Sequence, residues 1–494
     1  MVKKLSMRKL QFRWRIRAMN KSFIFLVSVI LIVGCSVGPD YKRPTIDNPA
    51  AWRVDEKAAQ DTANTAWWQQ FNDPVLNELI ADALKQSYDI RIAGARVDEY
   101  MGRYWVGRSG LFPQIGADGS AGRARATEKG PSPITPSIKN PADFYNVSAL
   151  GSWELDLWGK WRRTTEAARA DLLSTQEARQ AVIMSLVSAV ATGYTTLREL
   201  DKELEIAIRT VKSREDSYKL FKRRYDGGIV SELELYQNKS EYERAAASIP
   251  HIEKLIALQE NALSVLAGRN PGPIPRGKSI DQLVIPAVPA GLPSELLVRR
   301  PDIRQAEQNL IAANARIGAA KALYYPSISL TGLFGWSSVD LSNLFTGPAK
   351  VWSWGGAVTT PIFTGGYITG QVMATEAIQK QALYAYQSAI QTAFREVEDG
   401  LAAQKLTRQQ LQTQAKAVES LREYARIARL RYENGYTSYM EVLDSERNLF
   451  SAELEYAQMQ GVLFASLVEL YKAMGGGWIV VADKMTSDQA KAVQ

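Results

Sequence analysis

The chain has 494 residues with a single cysteine, Cys35, and a single histidine, His251, which excludes an internal disulfide and a histidine-based metal cluster. The formal charge of +8 comes entirely from residues 1–34, where eight bases stand without an acid; the other 52 of the 60 bases balance 52 acids, so nucleic-acid binding is not expected. No glycine-rich phosphate loop, Ser/His/Asp arrangement or HExxH motif is present, so the chain is not expected to be an enzyme.

Residues 1–34 have the layout of a bacterial secretory signal that ends in a lipobox. Bases come first, an apolar run from Phe23 to Val33 follows, and Gly34 precedes Cys35. The apolar run is too short to cross a bilayer comfortably, although an uncleaved anchor is the alternative interpretation. We expect cleavage before Cys35 and a covalent lipid on its sulfur, with no other cofactor. The non-acidic Ser36 predicts transfer to the outer membrane.

The chain is built from two copies of one pattern. At an offset of 213 residues, Asp89-Ile90-Arg91 matches Asp302-Ile303-Arg304, and at an offset of 207 residues, Ser231 and Glu234 match Ser438 and Glu441. Internal repeats are therefore the organising feature. We expect the following divisions: a signal at 1–34, an extended lipidated segment at 35–73, a first repeat at 74–268, a proline-rich connector at 269–293, a second repeat at 294–475 and a tail at 476–494.

Four short segments are predicted strands, and the last three alternate between two faces as membrane strands do, whereas the first alternates less cleanly. They lie near 113–126, 144–157, 326–336 and 351–363, and tryptophans cluster near their ends. An ordinary antiparallel sheet on a soluble core is the alternative. Four strands cannot close a barrel, and open edges in lipid would leave backbone groups unpaired. A barrel must therefore be shared between two, three or four copies of the chain.

After each strand pair, apolar residues recur every seven positions, as in Ile183, Val190, Leu197 and Leu204. Such long heptad runs predict coiled-coil helical hairpins, with arms of about 60 residues or roughly 90 Å. Asp226-Gly227-Gly228 and Asn434-Gly435 have turn chemistry, so tips are expected near 226–230 and 434–438. We expect Pro250 to kink or divide the first returning arm, because proline lacks an N–H group.

Several motifs resemble the outer-membrane factors of tripartite efflux systems, the TolC-like family, in its NodT/OprM-like lipoprotein branch. The resemblance covers essentially the whole mature chain, and its carriers are Cys35-Ser36-Val37-Gly38-Pro39-Asp40-Tyr41, Trp67-Trp68, Asp73-Pro74 and the run from Gly291 through Arg300-Pro301-Asp302. It implies a homotrimer in the outer membrane of a Gram-negative bacterium. Three chains would form one 12-stranded β-barrel, and their long helices would continue as a periplasmic α-barrel.

The resemblance also implies the function of an exit duct. Substrates would arrive from an inner-membrane transporter of the RND type through a periplasmic adaptor and leave without chemical change, across outer-membrane lipid and without nucleic acid. A structural lipoprotein that spans the periplasm without a channel is the alternative function. A lipid-anchored enzyme is a third class, which the missing catalytic motifs disfavour.

The resemblance further assigns roles at the hairpin tips. Glu441 and Asp444 match carboxylates that ring the periplasmic aperture, and Tyr432, Glu234 and Arg447 match residues that hold the gate shut. Thr437 stands where TolC has arginine, which puts a TolC-type arginine link in doubt. The expected adaptor surface comprises the two turns and the arginines beside them: Gly227, Gly228, Asn434, Gly435, Arg224 and Arg431.

Overall fold

The computed structural model describes residues 36–46, 49, 52–53, 66–129, 139–286 and 293–487. Over these residues the chain forms nine α-helices and four strands. In chain order they are α1 (Pro74–Gln86), α2 (Tyr88–Ser109), β1 (Gln114–Ala124), β2 (Ala142–Leu155), α3 (Lys160–Asp226), α4 (Glu232–Leu266), α5 (Pro293–Arg299), α6 (Pro301–Ala322), β3 (Ser327–Ser338), β4 (Lys350–Thr359), α7 (Tyr367–Glu433), α8 (Tyr439–Met474) and α9 (Trp478–Ser487). The order of two helices, two strands and two long helices occurs twice, as expected of an internal repeat.

Two helical hairpins follow the strand pairs. The first hairpin consists of α3 and α4, the second of α7 and α8, and the outgoing helices α3 and α7 each contain 67 residues. The predicted four strands and two long hairpins are confirmed. The expected division of the first returning arm is wrong, since α4 continues through Pro250. Pro250 is exposed, so its ring faces solvent rather than a neighbouring helix.

The chain divides into two compact units. The strand unit (36–44, 98–173 and 307–384, as far as these residues are described) holds one antiparallel sheet in the order β1-β2-β3-β4. Its register pairs Gly151 with Gly332, and Gly332 in turn with Trp354. Large apolar side chains such as Ile115 and Trp354, 81% and 82% exposed, project from it. Within the described residues β1 and β4 each pair on one side only, so the sheet is open.

β4 ends at Thr359, earlier than the expectation of 363. Pro361 follows two residues later and has no N–H to donate to a sheet ladder. The chain then turns at Gly365 and Gly366, which both have positive φ angles, before α7 begins. Such backbone angles are available to glycine at little cost.

The helical unit (45–97, 174–306 and 385–494, as far as described) has an aromatic core. Trp67 stacks on Tyr471 with ring centroids 5.1 Å apart, and Trp478 packs edge-on against both Trp67 and Trp68. Asp73 caps α1 by accepting the Val75 N–H at 2.9 Å. The Trp67-Trp68 and Asp73-Pro74 motifs are therefore core and capping residues.

One helix, α3, contains an 18-residue stretch long and apolar enough to cross a membrane. More than half of that stretch is buried in the protein, and Ile183, Val190 and Leu197 of α3 belong to the core of the helical unit. Burial against other helices accounts for the apolar character of α3, because a helix packed along one face needs an apolar stripe there.

Candidate functional site

Cys35, the expected lipidation site, lies outside the described residues, but the segment that follows it packs against α3 and α6 within the strand unit. Val37 donates its N–H to the Trp158 carbonyl at 3.0 Å. Further polar contacts join the segment to α3 and α6: Asp40 with Arg163 at 2.6 Å, Tyr41 with Glu307 at 3.0 Å, Arg43 with Glu307 at 2.5 Å and the Pro39 carbonyl with Asn314 at 2.8 Å. The residues after Cys35 are thus fixed in place.

A contact between two glycines allows this docking. Gly38 has a φ of +102°, and a Cβ placed on it would lie 2.4 Å from the Cα of Gly318 in α6. A Cβ placed on Gly318 would in turn lie 2.6 Å from the Val37 carbonyl oxygen. Both clashes involve backbone atoms, so a side chain at either position would displace the segment.

The first hairpin turns tightly at Gly227 and Gly228. Gly228 has a φ of +70°, the Gly228 N–H donates to the Tyr225 carbonyl at 2.8 Å, and the Ile229 N–H donates to the Arg224 carbonyl at 2.8 Å. These bonds satisfy carbonyls left free at the end of α3. Ser231 then begins α4 with a capping box: its hydroxyl accepts the Glu234 N–H at 3.3 Å, while the Glu234 carboxylate accepts the Ser231 N–H at 2.9 Å.

The second hairpin turns in the same way at Asn434 and Gly435. Gly435 has a φ of +77° and donates its N–H to the Tyr432 carbonyl at 3.0 Å. Ser438 precedes α8, but its side chain makes no capping hydrogen bond. The Glu441 carboxylate instead pairs with Arg431 at 3.1 Å and accepts the Thr437 hydroxyl. Glu441 therefore ties the end of α7 to the start of α8.

An aromatic cluster joins the two hairpins next to their turns. Phe221 of α3 lies 4.4 Å from Tyr439 of α8 and 6.2 Å from Tyr432 of α7, measured between ring centroids. The Tyr439 hydroxyl donates to Asn238 Oδ1 at 2.6 Å, and Arg224 reaches the Tyr432 hydroxyl at 3.5 Å. Burial is the main cause that raises the pKa of both phenols. The sequence singled out Tyr432 but not its two aromatic partners.

Arg447 pairs with Glu241, a residue that the sequence interpretation missed. Arg447 of α8 contacts Glu241 Oε1 at 2.5 Å, Arg214 of α3 contacts Oε2 at 3.1 Å, and Arg244 contacts Oε1 at 3.4 Å. The Glu241 side chain is only 3% exposed. Burial acts to raise the pKa of Glu241, but the hydrogen bond from Arg447 and the three positive charges outweigh burial and lower it. Glu241 is thus an ionic hub between the two hairpins.

Asp444 differs from its neighbours in facing solvent. It is exposed, and its carboxylate accepts the Asn448 amide at 3.2 Å. Burial, followed by the charges of Asp444 and Glu441, raises the pKa of the Tyr424 phenol on α7. Asp444 and Glu441 therefore both influence Tyr424 of α7.

The expected adaptor surface is partly engaged within the chain. Arg224 contacts Tyr432 and Arg431 pairs with Glu441, whereas no atom lies within 4 Å of a Cβ placed on Gly228 or Gly435. Large apolar side chains stand beside both turns, with Ile229 75% and Tyr436 77% exposed. In the part of the chain that the structure describes, no group of three or more histidine, cysteine or acidic residues is arranged to hold a metal ion.

Comparisons with known proteins agree with this architecture. The model of the family described as "Outer membrane efflux protein" matches residues 79–269 and 292–476, one match in each repeat. The probable efflux pump outer membrane protein TtgC of Pseudomonas putida (strain KT2440) is 37% identical over 473 residues, which cover 93% of this chain and 96% of TtgC.

Solved structures show the same fold. The outer membrane channel CmeC of Campylobacter jejuni superposes with a TM-score of 0.84 at 26% identity and covers 93% of this chain and 98% of its own. The open state of the Neisseria gonorrhoeae outer membrane channel MtrE superposes with a TM-score of 0.80 at 32% identity, covering 90% of this chain and 99% of its own.

Proposed function

This chain belongs to the Outer membrane efflux protein family, and on that premise we propose that its two hairpin tips form the periplasmic gate of an exit duct. The protein is the outer-membrane channel component of a Gram-negative efflux pump, a transport protein and not an enzyme. The proposal extends to the gate, the lipid anchor, the number of copies and the partners.

The open sheet carries the proposal of a shared barrel. Four strands leave β1 and β4 as edges, and a bilayer cannot satisfy their free N–H and C=O groups. Pairing of β1 with β4 of a neighbouring copy removes both edges. Three copies give 12 strands, which is enough to enclose a lumen and agrees with the trimer that the family resemblance implies.

The charge at the second tip supports a gate. Glu441 and Asp444 lie on neighbouring turns at the start of α8, so three copies would bring up to six carboxylates to one aperture. Carboxylates crowded on an axis repel one another and favour cations. Arg431 forms an ion pair with Glu441 in each chain. Opening of the gate is proposed to break this ion pair.

The contacts between the hairpins supply the resting lock. Tyr432 packs on Phe221, and Arg447 reaches the buried Glu241 of the first hairpin. Glu234 is proposed to act at this lock through the capping box that fixes the start of α4. Movement of the second hairpin away from the first must break the aromatic cluster and the ionic hub together.

A periplasmic adaptor is the proposed partner that releases this lock. Gly227, Gly228, Asn434 and Gly435 form turns with exposed apolar neighbours, and Arg224 and Arg431 lie beside them. An adaptor that drew Arg431 or Arg224 into new contacts would weaken their links to Glu441 and Tyr432. The proposed source of substrate is an inner-membrane transporter of the RND type.

The lipid on Cys35 is proposed as a second attachment to the outer membrane. Ser36 lies against Gly159, just before α3, and Val37 is bonded to Trp158, so the segment that follows Cys35 begins close to the end of β2. The acyl chains of the lipid would add the free energy of their burial to the attachment that the barrel supplies.

Single-channel conductance in a planar bilayer tests the function directly. The purified lipidated protein is compared with a Glu441→Ala/Asp444→Ala double variant. We expect small cation-selective currents that grow or lose selectivity in the variant, because the carboxylates at the aperture are gone. Intact oligomers of both proteins that carry no current would favour a structural lipoprotein without a channel.

A further inference from the structure

A cleft between α3, α7 and α8 stands apart from the tip contacts. Its volume is about 550 Å³, and all of its lining residues belong to the helical unit. α3 and α7 form its walls and α8 its floor. The first wall belongs to the first hairpin and the second wall to the second hairpin.

Arginines dominate the lining of this arginine cleft. It holds five arginines and only two acids, with Arg209 and Arg214 on α3, and Arg422, Arg426 and Arg429 on α7. The two acids, Glu446 and Glu453, lie on α8. Like charges inside a concave, partly dry site focus a positive potential.

Glu453 balances two arginines at once. It contacts Arg209 at 2.5 Å through one oxygen and Arg422 at 2.8 Å through the other. Both arginine side chains are more than half exposed, at 54% and 59%. A guanidinium carries five N–H donors, so a contact with one oxygen of the shared carboxylate uses only a small part of the donors of each arginine.

The α3 wall of the cleft holds a buried positive charge. Arg214 is 6% exposed, lies over the Phe450 ring at 5.3 Å and pairs with Glu241, which also serves Arg447 and Arg244. Burial, and then the charges of Arg447 and Arg244, lower the pKa of Arg214 against the influence of Glu241 and Glu446. Arg429 pairs with Glu446 at 2.5 Å, and Arg426 pairs with Glu423, which lies outside the lining, at 2.9 Å. With Glu241 and Glu453, four carboxylates therefore serve the five arginines of the cleft.

We propose that the arginine cleft binds a soluble multivalent oxyanion, of the phosphate or carboxylate class, between the two hairpins. Guanidinium groups recognise such anions through paired N–H donors. The hydroxyls of Thr210 and Ser213 lie in the same lining and add donors. The bound anion displaces Glu453 from Arg209 and Arg422 and joins α3 to α7.

This inference goes beyond the exit duct and its gate. The anion contacts both hairpins only while they are packed as in this structure, so binding stabilises the packed arrangement. Its failure would leave the proposed duct unaffected, because binding is measured without current.

Calorimetric titration of the purified lipidated protein with inorganic pyrophosphate tests the site, with sodium chloride at matched ionic strength as reference. We expect saturable binding of pyrophosphate. Arg209→Gln/Arg422→Gln should weaken binding at least about tenfold, because two charge-assisted contacts are lost. Arg408→Gln is the matched control, since Arg408 is exposed on α7 and lies outside the lining.

Glu453→Gln provides a second test in which tighter binding is expected, so the test does not depend on a loss of affinity. The variant removes the internal competitor of the anion, so pyrophosphate should bind more tightly than to the native chain. Heat from pyrophosphate no larger than from chloride would overturn the proposal. Native-like binding by Arg209→Gln/Arg422→Gln, or weaker binding by Glu453→Gln, would overturn it as well.

Discussion

Glu234 and Glu441 occupy the same place in the two repeats, but their carboxylates bind different partners. Each stands three residues after the serine that precedes a returning helix. Glu234 accepts the N–H of Ser231, whereas Glu441 reaches back to Arg431 and Thr437. The first carboxylate caps its own helix, and the second links the two arms of its hairpin.

This difference predicts different results for the same substitution. Glu441→Gln should enlarge the single-channel conductance, because the ion pair with Arg431 is lost. Glu234→Gln keeps a side-chain oxygen that can accept the Ser231 N–H, so it should lower the free energy of unfolding by less than about 1 kcal/mol and change the conductance less. Planar-bilayer recording and denaturant unfolding measure the two quantities. Equal conductance changes in the two variants would contradict this division of roles.

Loss of the charge on Glu241 should destabilise the protein strongly. Glu241→Gln leaves the buried Arg214 without its carboxylate, and breaking one side of a buried ion pair costs roughly 3–5 kcal/mol. Thermal unfolding should show a lower midpoint. Glu253→Gln, at an exposed position of the same helix, is the control and should change little. A native midpoint for Glu241→Gln would mean that the hub does not hold the hairpins.

Removal of the tyrosine hydroxyls should separate two kinds of contact. Tyr439→Phe leaves the buried side-chain oxygen Oδ1 of Asn238 without its donor and should lower the free energy of unfolding by about 1–3 kcal/mol. Tyr432→Phe should cost less than about 1 kcal/mol, because its contact with Arg224 is long at 3.5 Å. Tyr436→Phe, exposed at the turn, serves as the reference. Denaturant unfolding gives the three values, and a larger loss for Tyr432→Phe would refute the ranking.

Stability should fall as the pH rises between about 4.5 and 8. Burial, and then the neighbouring Glu203, raise the pKa of Glu199 to about 8 in the folded chain. The folded state holds a proton that the unfolded state has already released above pH 4.5, so folding loses up to about 1.4 kcal/mol per pH unit in this range. Glu199→Gln should flatten this slope. Glu419→Gln, at an exposed position of α7, is the control and should leave the slope unchanged. Parallel slopes for the native chain and Glu199→Gln would show that another group titrates.

A methyl group on Gly318 should release the segment after Cys35. Gly318→Ala places a Cβ against the Val37 carbonyl oxygen, which is backbone and cannot turn aside. Limited proteolysis followed by mass spectrometry should detect cleavage near residues 37–43 at a higher rate. Gly370→Ala is the control, because a Cβ there meets no atom within 4 Å. Equal cleavage of the two variants would show that the glycine contact does not hold the segment.

The repeated pattern made the elements predictable. Seven-residue spacing and period-two alternation are local properties, so α3, α7 and the four strands could be read from neighbouring residues. The turns at Gly228 and Gly435 could also be predicted from the sequence, because few residues other than glycine adopt their positive φ angles. Pro250 misled the interpretation, since a proline on an exposed helix face removes one hydrogen bond without ending the helix.

The partners within the candidate site were less accessible. Glu241 meets Arg447 from 206 positions away, and no local pattern marks a carboxylate that several arginines will share. Glu234 and Glu441 have the same spacing from a serine, so this spacing does not distinguish a helix cap from a link between the two arms. The choice between a cap and a link depends on where Arg431 and Thr437 stand once the hairpin has closed.

The open edges of the sheet also bear on how the protein is made. β1 and β4 can complete their hydrogen bonds only with another chain, so the membrane part has no folded form before the copies meet. Insertion should then depend on the local concentration of chains at the membrane surface, as an encounter among several molecules does. The lipid proposed on Cys35 would confine those encounters to two dimensions. A cell that cannot attach this lipid should therefore accumulate unassembled chains, while each channel that does assemble should conduct normally.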